Sequence, residues 1–303
     1  MAAPKKQAKK QSRRQSPKRV SAVGPLPDRR AMEGILSAIG GRAAGDALAT
    51  AQQIMYEAWS KANPRARIAL AHKALAISSE CADAYVLLAE TAAKTTEEAL
   101  EFFRKGVAAG ERALGPKGFK EYAGHFWGFL ETRPYMRARA GLAAALHAFG
   151  EVDAAISHYN DMLRLNPNDN QGIRYVLAQC LMKRNEVKAL KDLFKKYDGD
   201  CSAIWLYSRA LAVFREDERG SGRADELIRK ALRANKFVLA FLTDNQKTKP
   251  PVTGYLTMGG EDEAAHYVEE WGFDWLTTPG AIEWLAKIAA ETALARPQGP
   301  SKH

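Results

Sequence analysis

Apolar positions recur at helical spacing along most of the chain, most clearly in AGLAAALHAFGEVDAAISHYNDMLRLNPND, residues 140–169. Leu142, Ala143 and Leu146 share one helix face, since positions one, three and four apart lie together on a helix surface. Gly150 breaks that helix, because glycine takes a left-handed turn without strain. Ala155 and Tyr159 continue on a second helix, where the small alanine permits close approach to the first. Pro167, which lacks an amide hydrogen, closes the unit. Shifted by 34 residues the pattern returns, with Val176, Leu177, Cys180 and Ala189 in the corresponding places.

Weaker copies flank this pair. Tyr85, Leu88 and Ala89 form a stripe followed by Ala99 and Phe103; Ile204, Tyr207, Ser208 and Leu211 precede Ala224, Ile228 and Ala231. At the front, Ala47 to Trp59 predicts one helix and Ile68 to Ile77 its partner, separated by Asn63-Pro64. These spacings resemble the tetratricopeptide repeat over most of residues 45–237. About five helix pairs follow, more than the roughly three a repeat stack needs to bury a continuous core. The expected fold is all-α: a TPR-like helical-hairpin solenoid over residues 31–237, with a non-repeat insertion near 110–133. A helical C-terminal cap at 238–295 and a flexible end at 296–303 complete it. In the cap, Thr278-Pro279 predicts a helix start, and Ile282, Trp284, Leu285 and Ile288 its apolar face.

Charge changes the picture only at one end. The net charge is +10, yet residues 1–30 carry ten Lys/Arg against the single acid Asp28, so the other 273 residues are close to neutral. That start, rich in Lys, Arg, Gln and Ser, predicts a disordered basic tail, able to attract phosphates or acidic surfaces without a fold. No apolar run approaches the roughly 18 residues of a spanning helix, and no signal-peptide core follows the basic start. The three cysteines are widely spaced and form no C-x-x-C pair. Reduced thiols and a cytoplasmic location are expected.

The stretch GHFWGFLETRPYMRAR, residues 124–139, gathers an imidazole, a carboxylate and three guanidiniums. A catalytic reading needs a nucleophile or acid–base pair with an orienting third group, and the sequence marks none. Arg133-Pro134 instead opens the first helix of the clearest repeat, with Thr132 placed to cap its free amides. Phosphate-loop, dinucleotide, zinc-protease and EF-hand motifs are absent from the sequence. No catalytic residue, cofactor or metal is therefore expected. This stretch, RADELIRKALRAN leading into FVLAFL, and the ending GGEDEAAHYVEEWGFDWLTTPGAIEWL together resemble bacterial tetratricopeptide proteins related to the suppressor-of-tumorigenicity family of the "seven" type. Animal members of that family are membrane-associated; no established reaction accompanies the resemblance.

The expected function is recognition. A solenoid presents a concave face lined by the first helix of each pair. Counting from the stripes puts Arg137, Gln171, Arg174, Trp205 and Arg209 on that face. Arginine holds carboxylates bidentately, and Arg and Trp anchor interfaces. The chain thus reads as a non-catalytic scaffold or adaptor for a protein or peptide partner, acidic segments included. Chaperone clamps carry Lys and Asn where this chain has Val86 and Glu90, which disfavours that specialisation. The alternative is a nucleic-acid or ribonucleoprotein factor working through residues 1–30.

Overall fold

The computed structural model describes residues 29–39, 46–216, 222–244 and 256–294. Among them the chain is all-helical, in fourteen helices: α1 (Arg29–Ile39), α2 (Ala47–Ser60), α3 (Pro64–Ile77), α4 (Ala82–Thr91), α5 (Thr96–Glu121), α6 (Arg133–Phe149), α7 (Val152–Leu165), α8 (Ile173–Lys183), α9 (Val187–Lys196), α10 (Ala203–Glu216), α11 (Gly222–Ala234), α12 (Val238–Thr243), α13 (Glu261–Leu276) and α14 (Ala281–Leu294). Helices α2 to α11 form five successive hairpins, as the pattern predicts. The expected tail lies outside the described residues as far as position 28; its last two arginines belong to α1. The expected flexible end, 296–303, lies outside them as well.

Local chemistry sets the helix ends. Asp46 accepts the Leu48 amide at 2.9 Å and Asn63 the Arg65 amide at 2.9 Å, with Pro64 in the first turn of α3. Thr95 accepts the Glu98 amide while the Glu98 carboxylate reaches back to the Lys94 amide, a reciprocal cap. Gly150 ends α6 at φ 96°, the left-handed conformation its place in the pattern requires. Thr132 does not cap α6: its hydroxyl is turned to the carbonyls of Phe126 and Phe129, which pins the preceding turn.

Close approach between hairpins depends on missing side chains. A Cβ on Gly141 of α6 would lie 2.1 Å from the Phe103 ring, and one on Gly110 of α5 would lie 2.9 Å from the Tyr135 Cβ. The expected insertion turns out to continue α5, which runs to Glu121 across a kink at Gly115-Pro116. Its aromatic end packs on α6: Phe119, Phe126 and Tyr135 meet with centroids 5.1 to 6.1 Å apart. The segment is thus a wedge of hydrophobic area between hairpins.

The 34-residue recurrence holds in the first helix of the second unit at Leu177 and Cys180, both buried, and fails at two positions. Val176 is 40% exposed, because α8 turns Ile173, Leu177, Cys180 and Leu181 inward instead. Ala189 is exposed where Ala155 is fully buried. Helix α9 has ten residues and directs Leu190, Leu193 and Phe194 at the core: Leu193 keeps the place of Tyr159, while Leu190 is buried in place of Ala189. The C-terminal elements do more than close the stack. Helix α13 packs on α10, and α14 on α11, so they extend it as a sixth hairpin. Glu263 fastens the join, accepting the Ala203 amide at 2.9 Å and the Asn235 side-chain amide at 2.9 Å.

Candidate interaction groove

The first helices of the hairpins, α2, α4 and α6, present an inner face, and α1 lies across it. Arg30 of α1 bonds both oxygens of Glu90 on α4, at 3.0 and 2.8 Å. Glu33 reaches α6, accepting from Arg133 Nη1 at 3.0 Å and from Arg137 Nη1 at 3.1 and 3.0 Å. Ser37 accepts the Gln53 side-chain amide of α2 at 3.2 Å. One short helix therefore bridges three successive hairpins.

Arg137 sits at the centre of this crossing. Its Nε and Nη2 grip Asp83 of α4 bidentately, at 2.8 and 2.6 Å, and Gln52 of α2 donates to the same carboxylate at 2.7 Å. Trp59 lies beneath, with the Arg137 and Arg30 guanidinium carbons 5.4 and 4.7 Å from its ring centroid. Asp83 is fully buried, and Glu33 and Arg137 are 7% and 9% exposed. Burial works against the Arg137 charge, but Asp83 and Glu33 outweigh it and hold the guanidinium above its ordinary pKa. The expectation that Arg137 lines an open groove is corrected here: both edges of its fork are already occupied. Val86, also placed on the inner face by spacing, is buried.

Further along, Arg174 of α8 bonds Asp200 at 2.8 Å, Asp169 at 2.9 Å and the Tyr175 hydroxyl at 2.6 Å, and lies 4.2 Å over the Tyr175 ring. Asp169 also caps α8 by accepting the Ile173 and Arg174 amides at 2.7 and 2.9 Å. Trp205 is 1% exposed. It is enclosed by Phe194, Tyr175 and Tyr197 at centroid distances of 4.8, 5.9 and 6.2 Å. The groove assignment for Trp205 is overturned, because α10 is covered by neighbours on several sides and its indole serves as core. Gln171 is half-buried, its Oε1 accepting no hydrogen bond among the described residues.

Arg209 is the expected residue that lines a cavity. A cleft of about 270 Å³ lies among α8, α9 and α10, lined by Leu181, Met182, Leu190, Phe194 and Val213. Its rim carries Lys195, Arg209 and Arg223, none of them hydrogen-bonded or ion-paired among the described residues, beside the Lys191–Glu216 pair. Arg215, also on the rim, is turned to Asp274 at 3.1 Å and Thr278 at 2.8 Å. The five residues thus do not converge on one site: they divide among a buried network, a half-buried cluster and a cleft. Sequence reasoning missed Glu33, whose partners lie about a hundred residues away and leave no periodic trace.

Among the described residues no group of three His, Cys, Asp or Glu side chains is placed to hold a metal, and no helix is long and apolar enough to cross a membrane. The Cys81 thiol is buried, and burial together with Asp83 pushes its pKa up to about 12, which suppresses the thiolate.

A family model described as "ST7 protein" matches residues 43–125. The chain is 26% identical over 267 residues to a chicken "Suppressor of tumorigenicity 7 protein-like", covering 79% of this chain and 47% of the relative. A Drosophila melanogaster "Protein ST7 homolog" is also 26% identical, with 80% and 49% covered, and the human suppressor of tumorigenicity 7 protein-like is 26% identical, with 79% and 45% covered. The chain spans about half the length of these curated relatives. Stacked hairpins with α1 laid across the first three thus form a chain similar, over about four fifths of its length, to proteins of the suppressor-of-tumorigenicity-7 group.

Proposed function

We propose that the chain is a non-catalytic scaffold that holds a protein segment on the inner face of a tetratricopeptide-like stack. The observation that supports this most directly is α1 itself, a helix already seated across α2, α4 and α6. A surface that orders a helix by three separate polar contacts has the spacing to order another. Stacked hairpins recognise partners in this way, through an extended face rather than a reaction centre. The 34-residue recurrence and the order of the hairpins support the tetratricopeptide part of this reading; kinship with bacterial tetratricopeptide proteins related to the ST7 group is proposed with it.

The test is site-directed photo-crosslinking in the full chain. Ala144 is exposed and shares a face of α6 with Arg133, Arg137 and Ala140 by its spacing; Lys105 is exposed on α5, the second helix of its hairpin. A photo-reactive residue at Ala144 is expected to capture a discrete protein that the same residue at Lys105 does not, unchanged by nuclease. Equal labelling from both positions would refute an inner-face site. Capture that disappears with nuclease or with removal of residues 1–28 would install the nucleic-acid reading instead.

A further inference from the structure

The way α1 is seated is the reverse of what an amphipathic helix normally does. Its large apolar side chains face outward, Met32 55%, Ile35 64% and Leu36 55% exposed, while Glu33 and Ser37 are buried. Those three apolar residues form an i, i+3, i+4 stripe, the usual core-facing face. The inward face offers small or polar groups. Gly34 lies so close to α2 that a Cβ there would be 2.9 Å from the Tyr56 Cβ. Charge and close approach hold this helix, with little of the apolar burial that fixes the other elements.

The receiving surface has the features of a built carboxylate site. Asp83 occupies one edge of the Arg137 fork and fixes its plane, which leaves Nη1 projecting beside Arg133 Nη1; both donate to the same oxygen of Glu33. Trp59 closes the floor under the guanidinium. Among the described residues the carboxylates bonded to the Arg133–Arg137 pair are Glu33 and Asp83, and Asp83 is already held by one guanidinium. Bidentate, partly desolvated arginine sites of this kind are strong and selective for carboxylates.

From this geometry we propose that the Arg133–Arg137–Trp59 site is the anchor of the partner groove, filled in cis by Glu33, and that its external ligand is a helical protein segment resembling α1. That segment presents Glu at the anchor, a glycine or other small residue immediately after it, and Arg three positions before to meet Glu90. The inference rests on the scaffold reading and gives it a ligand class. A partner gains access by exchanging its carboxylate for that of Glu33, so α1 acts as an intramolecular competitor.

The experiment uses the full chain and a fluorescent synthetic peptide of residues 29–39. In Glu33→Lys, a third cation faces Arg133 and Arg137, so α1 leaves. Amide exchange in α1 is expected to accelerate at least tenfold while α4 to α7 keep their protection. The peptide is expected to bind Glu33→Lys at least tenfold more tightly than wild type, and a peptide with Gln in place of its glutamate at least tenfold more weakly. Arg133→Ala combined with Glu33→Lys, which spares the buried Arg137–Asp83 pair, should weaken peptide binding again. Unchanged α1 exchange, loss of protection throughout α2 to α7, or equal binding of the Glu and Gln peptides would each overturn the proposal. Failure here with capture at Ala144 intact would leave a scaffold whose α1 is a fixed element; loss of both would remove the scaffold reading itself.

Discussion

Two arginines predicted for the same surface end in different circumstances. Arg137 finds its acids 54 and 104 residues away, on α4 and α1; Arg174 finds its own within 5 and 26 residues, at the cap of α8 and before α10. The first joins elements distant in the chain, and its outer carboxylate arrives on a helix with little apolar anchorage. The second is built into one hairpin and its successor, over the Trp205 core. A long-range pair of this type holds an element that can be exchanged, whereas a local one stiffens the junction between neighbours. The difference lies at the level of packing and topology, since the residue type is the same.

Stability measurements can break this comparison. Arg137→Ala should cost roughly 3–5 kcal/mol in urea unfolding, because it strands the fully buried Asp83 without its counter-charge, while Glu33 keeps Arg133. Trp205→Ala should come close, about 3–4 kcal/mol, since it empties a cage of three aromatic rings. That loss should occur without a partner, which separates a core role from a binding one. Arg174→Ala should cost less, about 1.5–3 kcal/mol, as hydrogen bonds to a charged group at a partly solvated position do. Equal costs for the two arginines would show that sequence separation and burial do not distinguish them.

The hairpins were legible because their cause is local. Leu142, Leu146, Ala155 and Tyr159 declare a two-helix unit by spacing alone, and Gly150 and Pro167 mark its turn and end. The inner face was legible only as a direction. Counting along α6 gave Arg137 and counting along α10 gave Trp205, but spacing cannot say what another element lays over those positions. For Arg137 that element is α1, and for Trp205 it is the aromatic shell from α8, α9 and Tyr197. The departures at Val176 and Ala189 were hidden for a related reason: a small or β-branched residue fits either side of the buried face, and packing took Ile173 and Leu177 on α8 and Leu190 on α9 instead.

The smallest effect, and the one that tests the local cluster most directly, is its response to acid. Asp169 and Asp200 both bond Arg174 yet shift in opposite directions. Burial raises the Asp169 pKa and outweighs the amides and guanidinium that oppose it. For Asp200 burial acts the same way but loses to the Ser202 amide and hydroxyl, the Tyr175 hydroxyl and Arg174, so its carboxyl is held below the usual range. The unfolded chain titrates both near about 3.9. Stability from Asp200 is therefore complete above that value and is lost as pH falls through its depressed native value. Asp169 takes up its proton earlier in the native state, so between its raised native value and about 3.9 it adds stability as pH falls. Unfolding free energies followed from pH 6 to pH 2 should show Asp200→Asn flattening the loss at the acid end, and Asp169→Asn flattening the gain that precedes it. If both variants changed the slope in the same sense, one of the two aspartates would not be titrating as a partner of Arg174, and the contrast with the buried Arg137 network would have to rest on burial alone.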